Sequence, residues 1–208
     1  KVTMNLPARG KFAAPHFKML WAGDIPRRTD TDAAGATTEL VCVAGAPDGM
    51  ATPPSPPPDS WASDPGADVA IWTLKMAPGA RWTLPAARAG AATRRRLYFY
   101  SGATLTVDGQ PVPGHAAIDV PTERAVEIVN STSAVAELLM LQGRPIGEPV
   151  AQYGPFVMNT EAEIRQAFMD YQRTQFGGWP WPDSAPVHGG DAARFARHAD
   201  GHTEQPPR

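Results

Sequence analysis

Five histidines and one cysteine are the residues of this chain best suited to metal chemistry, and their spacing does not form a ligand set. Two imidazoles one residue apart, joined by a nearby carboxylate, can bind a transition metal and leave positions open for a substrate. The histidines are His16, His115, His188, His198 and His202. None forms His-x-His, and only the tail pair His198 and His202 is closely spaced. The spacing therefore predicts no transition-metal site in this chain.

The isolated candidates have structural interpretations. His115 follows Pro-Gly and is predicted to be a turn residue, and His16 follows a proline and is predicted to make an interdomain contact. Cys42 lies in the apolar run Leu40–Ala44, which is typical of a buried, inert thiol. The sequence contains no Ser-His-Asp arrangement, no phosphate loop and no Cys-x-x-Cys. Nucleophilic catalysis and nucleotide hydrolysis are therefore not indicated.

Two further groups of side chains could form a binding site. The run Arg94–Arg96 precedes a predicted strand and is interpreted as a solvated edge that discourages strand pairing, with an anion site as the alternative. Four aromatic residues could line a cavity between strands: Trp72, Trp82, Tyr98 and Tyr100. Packing in the core or at its rim is favoured over a cavity, because aromatic side chains dominate cores in general.

Composition fits a soluble domain with a core and a tail: 208 residues, 42% hydrophobic and 19% charged. The 19 basic and 21 acidic residues give a net charge of −2, so we predict no nucleic-acid partner. No apolar run approaches the roughly 20 residues that span a bilayer, so no membrane association is predicted. A single cysteine excludes an intrachain disulfide, and with no signal peptide we expect a cytoplasmic location. Because the chain begins at Lys1, we expect it to be a piece of a longer product.

The 23 prolines and 19 glycines favour many short strands joined by turns. The predicted strands are Lys1–Asn5 (an edge strand), Glu39–Ala44, Asp68–Met76, Arg81–Leu84, Leu97–Tyr100, Thr104–Val107, Ala116–Val120, Ala125–Asn130 and Ala136–Leu141. Residues 26–37 and 45–67 are predicted loops, and Asp108-Gly109 is a strong hairpin signal. The pattern predicts an all-β fold, an antiparallel jelly-roll barrel.

One C-terminal helix is predicted after the strands. Thr160 and Glu163 form a capping box, and an apolar stripe follows it at Ile164, Ala167, Phe168 and Tyr171. Gly177-Gly178 is predicted to end the helix. In the irregular tail beyond it, Trp179 and Trp181 are expected to lie on a protein surface, and residues 199–208 to be disordered.

The stretch from Gly147 to Phe176 also carries a family resemblance. It contains Gly-Glu-Pro-Val-x-x-Tyr-Gly-Pro-Phe-Val-Met-Asn-Thr-x-x-Glu-Ile-x-Gln-Ala, which resembles the signature near the end of pirins, proteins with two cupin barrels in one chain. The segments Met4–Ala8, Pro15–Phe17 and Asp24–Pro26 resemble the start of the second cupin. The resemblance covers nearly the whole chain but only the C-terminal half of a pirin. It implies an entry strand and linker at 1–37, a cupin barrel at 38–158, a helix at 159–176 and a tail at 177–208.

The same resemblance implies that this barrel has lost its metal ligands. The first cupin motif would place ligands near Arg81–Ala87, where none occurs. The second, Pro-x-Gly-x-x-His-x-x-x-Asn, aligns with a segment that keeps Asn130 but has Val126 at the histidine position. We therefore expect no cofactor in this chain, and the resemblance places iron in the N-terminal cupin of a full-length pirin.

Three functions remain open from the sequence. The first is a non-catalytic cupin half that packs on the metal-bearing N-terminal cupin of the same parent and self-associates when isolated. The residues proposed for that contact are His16, Phe168, Tyr171, Trp179 and Trp181. The second is a small-molecule-binding cupin module that uses the barrel cavity. The third is part of an iron-dependent enzyme similar to quercetin 2,3-dioxygenase, whose catalytic residues would lie outside this chain, so that the chain alone is not expected to be catalytic.

Overall fold

The computed structural model describes residues 3–179, 181–182, 194–198 and 200–207. Its contacts divide the chain into two compact units. The barrel unit is Ala22–Ile146, and the terminal unit combines Lys1–Trp21 with Gly147–Arg208. His188 and the first two residues of the strand predicted at the N-terminus lie outside the described residues.

The barrel unit consists of two antiparallel sheets. Its strands are β1 (Arg27–Thr31), β2 (Thr37–Ala44), β3 (Ala70–Met76), β4 (Arg81–Leu84), β5 (Arg94–Ser101), β6 (Thr104–Val107), β7 (Gln110–Pro113), β8 (Ala116–Asp119), β9 (Val126–Val129) and β10 (Ala136–Gly143). One sheet has the order β1-β2-β3-β10-β5-β8 and the other the order β4-β9-β6-β7. Strands β4 and β9 belong to the second sheet, whereas β3, β5 and β10, their neighbours in sequence, belong to the first. The chain therefore crosses repeatedly between two layers, as in a jelly roll.

Alternation along each strand creates one core between the sheets. In β3, Leu74 and Met76 are buried, whereas Lys75 between them is exposed. This alternation has the period of two expected for a strand with one face inside. The facing sheet contributes Trp82 and Leu84 from β4 to the same cluster. The predicted antiparallel all-β fold is therefore confirmed.

One strand of the large sheet was predicted to be a loop. Residues 27–31 form β1, which pairs with β2 from Arg27 opposite Val41 to Thr31 opposite Thr37. The segment has no apolar residue, so its sequence carries no burial pattern. Its order comes from the hydrogen bonds of an edge strand, and charged side chains on such an edge limit further pairing.

The Asp108-Gly109 pair forms the predicted hairpin. Both residues have positive φ, 51° and 75°, and they join β6 to β7 with Val107 opposite Gln110. This is the backbone conformation of a two-residue primed turn, which suits the twist of the flanking strands. The Asp108 carboxylate also accepts a hydrogen bond of 2.9 Å from Arg124, which holds the turn against the loop before β9.

Asn130, at the asparagine position of the second cupin motif, has a structural role. Its fully buried side chain donates to the carbonyl oxygens of Met76, Ala77 and Ala134 and accepts from the backbone N–H and hydroxyl of Thr132. The amide thus joins the end of β3 to the turn before β10. Its two N–H groups and its carbonyl oxygen are all used inside the protein, so Asn130 has no remaining capacity for a ligand.

The terminal unit has one α-helix among its described residues. Its elements are β11 (Ala151–Tyr153), β12 (Phe156–Met158), α1 (Glu161–Thr174), β13 (Ala196–Arg197) and β14 (Thr203–Glu204). No helix among the described residues is long and apolar enough to cross a membrane.

The segment before the helix is a hairpin that was not predicted, because Gly154 takes the left-handed φ of 56° that lets β11 turn back on β12. Two predictions about the terminal unit are wrong. Residues 3–5 form no strand. Near the C-terminus, residues 200–207 are not disordered as a whole. Instead β13 and β14 pair, and Glu204 in β14 accepts a hydrogen bond from Trp21.

The helix itself begins as predicted. The hydroxyl of Thr160 accepts from the backbone N–H of Glu163, and the Glu163 carboxylate accepts from the backbone N–H of Asn159 and from the Thr160 hydroxyl. The helix ends at Thr174, before the two glycines. The following residues, Gln175 and Phe176, take the left-handed conformation with φ near 50°, so the chain leaves the helix axis one turn earlier than the glycines indicate.

Candidate functional site

A buried arginine lies at one end of the barrel core. Strand β5 alternates so that Leu97 and Phe99 are buried, and this phase turns Arg95 inward, where only 3% of it is exposed. Its neighbours Arg94 and Arg96 are exposed. The predicted solvated edge is thus correct for the outer two arginines and wrong for the middle one, because strand phase outweighs the preference of a charge for water.

Hydrogen bonds hold the Arg95 guanidinium in place. Its Nε donates to Gln142 Oε1 at 2.7 Å, Nη2 donates to the same oxygen, and Nη1 donates to the carbonyl oxygen of Pro85 at 2.7 Å. A guanidinium has five N–H groups, so these bonds leave one N–H on each terminal nitrogen available.

Asp68 is the carboxylate of this network, and the side-chain amide of Gln142 connects it to Arg95. Gln142 Nε2 donates to Asp68 Oδ1 at 3.0 Å, while Asp68 Oδ2 accepts from the backbone N–H of Ala89 and the hydroxyl of Thr93. Among the described residues no carboxylate forms a direct ion pair with Arg95. Burial lowers the pKa of Arg95, and the charge of Asp68 acts in the opposite direction.

These side chains line a pocket of about 220 Å³. Arg95, Gln142 and Asp68 form one part of its polar lining, and Asp48 and Asp64 contribute two further carboxylates. Trp72 contributes an indole whose Nε1 donates to the carbonyl oxygen of Gly45. Arg88 lies at the rim, where three quarters of its side chain is exposed, so the pocket is open to solvent.

A larger open pocket of about 390 Å³ lies beside Trp82. The indole Nε1 of Trp82 donates to Asp30 at 2.8 Å. Asp32, also in this pocket, accepts backbone hydrogen bonds from Arg81 and Ala36, and the bond from Arg81 is the first cause that lowers its pKa. These bonds occupy the carboxylates with structural partners.

The structure places the four predicted cavity aromatics in two different environments. Trp72 and Trp82 are buried, and each lines one of the pockets. Tyr98 and Tyr100 are 36% and 47% exposed and lie on the outer face of β5, opposite Leu97 and Phe99. The two tyrosines therefore cannot line the interior, because successive side chains of β5 point to opposite faces and Leu97 and Phe99 take the inner one.

The side chains of the barrel do not fit a cupin metal centre. Pro85 and Ala87 lie in the segment where the first motif would place ligands, and the buried Val126 offers no donor atom. Over the described residues, no three His, Cys, Asp or Glu side chains are grouped to hold a metal ion.

The buried thiol is likewise unsuited to reaction. Burial raises the pKa of Cys42 to about 12, and its Sγ lies 3.4 Å from the Sδ of Met50. A thiol that stays protonated at neutral pH is a poor nucleophile, so Cys42 acts as a small apolar residue.

In the terminal unit, the predicted helical stripe packs on the β11–β12 hairpin. Ile164 and Ala167 are buried against Ala151 and Met158. Phe168 is only half-buried, and its ring lies 4.7 Å from that of Phe156, between ring centroids.

Aromatic rings extend from this contact to the surface. Phe156 also lies 5.8 Å from Tyr171, and Tyr171 lies 5.3 Å from Phe176. Tyr153 joins the group through Phe168, 5.4 Å away between ring centroids. We call the exposed rings of this set, Tyr153, Tyr171 and Phe176, the aromatic surface. The structure thus brings together Phe168 and Tyr171, two of the residues proposed for an interdomain contact.

The other proposed contact residues lie on the surface of the same unit. Trp179 and Trp181 form a T-shaped pair with ring centroids 4.7 Å apart, and Trp179 is 57% exposed. His16 is exposed. Its neighbour Phe17 lies edge-on to His198 at 5.1 Å, so the N-terminal segment and the C-terminal tail meet within this unit.

Comparison with known proteins agrees with this architecture. A family model described as the Pirin C-terminal cupin domain matches residues 71–177. Pirin-1 of Arabidopsis thaliana is 31% identical over 175 residues, which cover 84% of this chain and 56% of Pirin-1. A pirin-like protein of Caulobacter vibrioides is 30% identical over 83% of this chain and 56% of its own length.

Among solved structures, a crystal structure of a quercetin 2,3-dioxygenase from Acinetobacter baumannii is similar, with a TM-score of 0.65 and 26% identity over 84% of this chain and 55% of that one. The fold and the site together define a cupin whose barrel lacks a metal-ligand set among its described residues. This chain belongs to the pirin family, and it matches the C-terminal cupin of that family. It spans about half the length of the curated relatives it matches.

Sequence reasoning missed the network of Arg95, Gln142 and Asp68. A signal for Arg95 was present: the apolar residues Leu97 and Phe99 set the phase of β5 two and four residues later. No comparable signal marks Gln142 or Asp68, because β5 and β10 must first pair before the amide can reach the guanidinium.

Proposed function

We propose that this chain is the metal-free half of a two-cupin protein and that its terminal unit packs on a metal-bearing cupin of the same parent. The observation that carries the proposal is the location of exposed apolar side chains. Of eleven large hydrophobic residues that are exposed among the described residues, eight lie in the terminal unit, although the barrel unit contains more residues. Concentrated exposed apolar area of this kind marks interaction surfaces.

The composition of the aromatic surface supports a protein partner. Tyr153, Tyr171 and Phe176 are residue types enriched at the centres of interfaces, and β11 carries Tyr153 while α1 carries Tyr171. Rigid aromatic side chains lose little entropy on docking, so they suit a permanent contact. His16, Phe168, Trp179 and Trp181 complete the proposed contact set.

Co-expression tests this proposal. The part of Arabidopsis Pirin-1 outside the match supplies a related partner cupin, and it is produced together with this chain, which alone carries an affinity tag. We expect the two to purify as an equimolar complex. The double variant Tyr171→Ser with Phe176→Ser should lose the complex, and Tyr98→Ser with Tyr100→Ser, which removes two exposed rings from the barrel unit, should keep it. Loss of the complex in both variants, or in neither, would contradict the proposed surface.

A second candidate function rests on the similarity to the Acinetobacter enzyme. We propose that any quercetin oxygenation by the parent uses iron held by the other cupin, because iron needs imidazole or carboxylate ligands with open positions. This chain alone, with ferrous iron and quercetin, should then consume oxygen no faster than a protein-free control. Iron-dependent uptake above that control would place a catalytic site in this chain and defeat the proposal.

A further inference from the structure

The pocket beside Arg95 has the features of a ligand site, and nothing in the proposed packing function uses it. We propose that this pocket binds a small planar carboxylate, with the guanidinium of Arg95 holding the carboxylate group and the indole of Trp72 lying beside the apolar part of the ligand. The inference is independent of the aromatic surface, which belongs to the terminal unit.

The first step of the argument concerns hydrogen-bond donors. Arg95 is almost fully buried, yet its bonds to Gln142 and Pro85 use only one N–H on each of its terminal nitrogens. A second N–H on each remains, and the residue lines the pocket. These N–H groups can donate to carboxylate oxygens, and such charge-assisted bonds are among the strongest in proteins.

The second step concerns charge. A buried cation is normally paired with an anion, since an isolated one is costly. Here the nearest network carboxylate, Asp68, is separated from Arg95 by the side-chain amide of Gln142. Asp68 accepts hydrogen bonds from Gln142, Ala89 and Thr93, so it fixes the position of the amide and makes no direct hydrogen bond to the guanidinium. A bound carboxylate would supply the missing direct counter-ion.

The third step concerns size and shape. A volume of about 220 Å³ is smaller than the roughly 300–1,000 Å³ of pockets for drug-sized ligands, so the ligand is small. Trp72 offers a flat apolar wall, and Ala46, Ala86 and Ala87 keep the remaining walls short. Benzoate combines a carboxylate with a flat apolar body and is a suitable probe.

Titration of the whole 208-residue chain with benzoate and with benzamide provides the test. Binding is followed by isothermal calorimetry and by the indole N–H resonance of Trp72 in ¹⁵N-labelled protein. Benzamide has the same shape without the charge. We expect benzoate to bind and benzamide to bind at least about tenfold more weakly, because the charge-assisted bonds are lost.

Three variants locate the site. Arg95→Lys keeps the charge but loses the fork and should weaken benzoate binding at least about tenfold. Ala86→Trp adds bulk at an exposed position of the pocket wall and should abolish binding without disturbing the core. Arg94→Lys, the matched control at an exposed position one residue away, should bind as the wild type does.

The outcomes are decisive even if Arg95→Lys fails to fold. Preference for benzoate over benzamide, with loss of binding in Ala86→Trp, supports the proposal. Equal binding of the two probes, unchanged binding in Ala86→Trp, or no binding of benzoate at concentrations on the order of 10 mM would overturn it.

Discussion

Trp21 and Glu204 are joined by a hydrogen bond of 2.6 Å from the indole Nε1 to a carboxylate oxygen, although they are 183 positions apart in the chain. Trp21 is buried, and the guanidinium of Arg194 lies 5.8 Å from its ring centroid. The other oxygen of Glu204 lies 3.2 Å from His198 Nε2. One carboxylate thus fastens the C-terminal hairpin to the N-terminal segment of the terminal unit.

This fastening should depend on pH. The indole of Trp21 is the first cause that holds the pKa of Glu204 below its ordinary value, and His198 acts in the same direction. A carboxyl group with a lowered pKa in the folded state stabilises fully above its ordinary pKa, about 4.3, and loses that contribution as pH falls through the lowered value. We therefore expect the Trp21 indole N–H resonance to shift as pH falls below about 4.3.

Glu204→Gln is the control for this prediction, since it keeps an acceptor for the indole but cannot titrate. Its Trp21 resonance should show no transition in the same acidic range. A transition of equal size in wild type and Glu204→Gln would mean that another group controls the contact.

The helix α1 allows a ranking of two single changes. Ile164 is buried between the helix and the β11–β12 hairpin, so Ile164→Ala should lower the free energy of unfolding by about 2–5 kcal/mol. Thr160→Ala removes one cap and should cost about 1 kcal/mol. Phe168→Ala should fall below the full cost of a buried phenylalanine, because Phe168 is half-exposed. Urea denaturation measures all three, and a larger loss for Thr160→Ala than for Ile164→Ala would contradict docking by this stripe.

Asn130 provides a sharper test of the barrel turn. Asn130→Asp replaces an amide that donates to the carbonyl oxygens of Met76, Ala77 and Ala134 by a carboxylate that would face the same oxygens. Each buried group left unsatisfied costs about 1–3 kcal/mol, so we expect a loss of at least about 2 kcal/mol at neutral pH. Thr132→Val, which removes only the hydroxyl that Asn130 accepts from, should cost less. Equal losses in the two variants would show that the donor side of Asn130 is unimportant.

The strands of the barrel were predictable where burial follows a local pattern. Arg81–Leu84 and Thr104–Val107 were predicted with the bounds that the structure has, because alternation and turn residues act over a few positions. Arg27–Thr31 was missed, since its order comes from pairing with β2. The division of the chain into 1–37, 38–158, 159–176 and 177–208 stays a prediction.

The candidate site was less predictable than the fold for the same physical reason. From the local sequence, a run of three arginines is predicted to be exposed to solvent. The pairing of β5 with β10 places Gln142 opposite Arg95, and both residues line the pocket. The expectation of no metal site, by contrast, rests on residue types alone, because valine cannot ligate whatever its surroundings, and it stays a prediction.

Metal content follows from those residue types. We expect the purified, tag-free chain to contain no stoichiometric iron, nickel or copper by elemental analysis, since Val126 occupies the aligned histidine position and residues 81–87 include no imidazole, thiol or carboxylate. A full-length pirin relative purified in the same way is the control for metal loss during preparation. Stoichiometric metal that survives purification in this chain would show that the described side chains do not include the true ligands.

The last prediction concerns self-association. If the aromatic surface is meant for another cupin, then in the isolated chain it is available to a second copy. We expect sedimentation velocity to show concentration-dependent association of the wild type. Trp179 and Trp181 form a T-shaped ring pair at the surface of the same unit, with more than half of Trp179 exposed, and we propose that they extend the contact. Trp179→Ala with Trp181→Ala should therefore weaken association, while Tyr98→Ala with Tyr100→Ala should leave it unchanged. A wild type that stays monomeric across a wide concentration range would argue that these indoles brace the terminal unit itself, because exposed rings with an unsatisfied partner surface should associate as concentration rises.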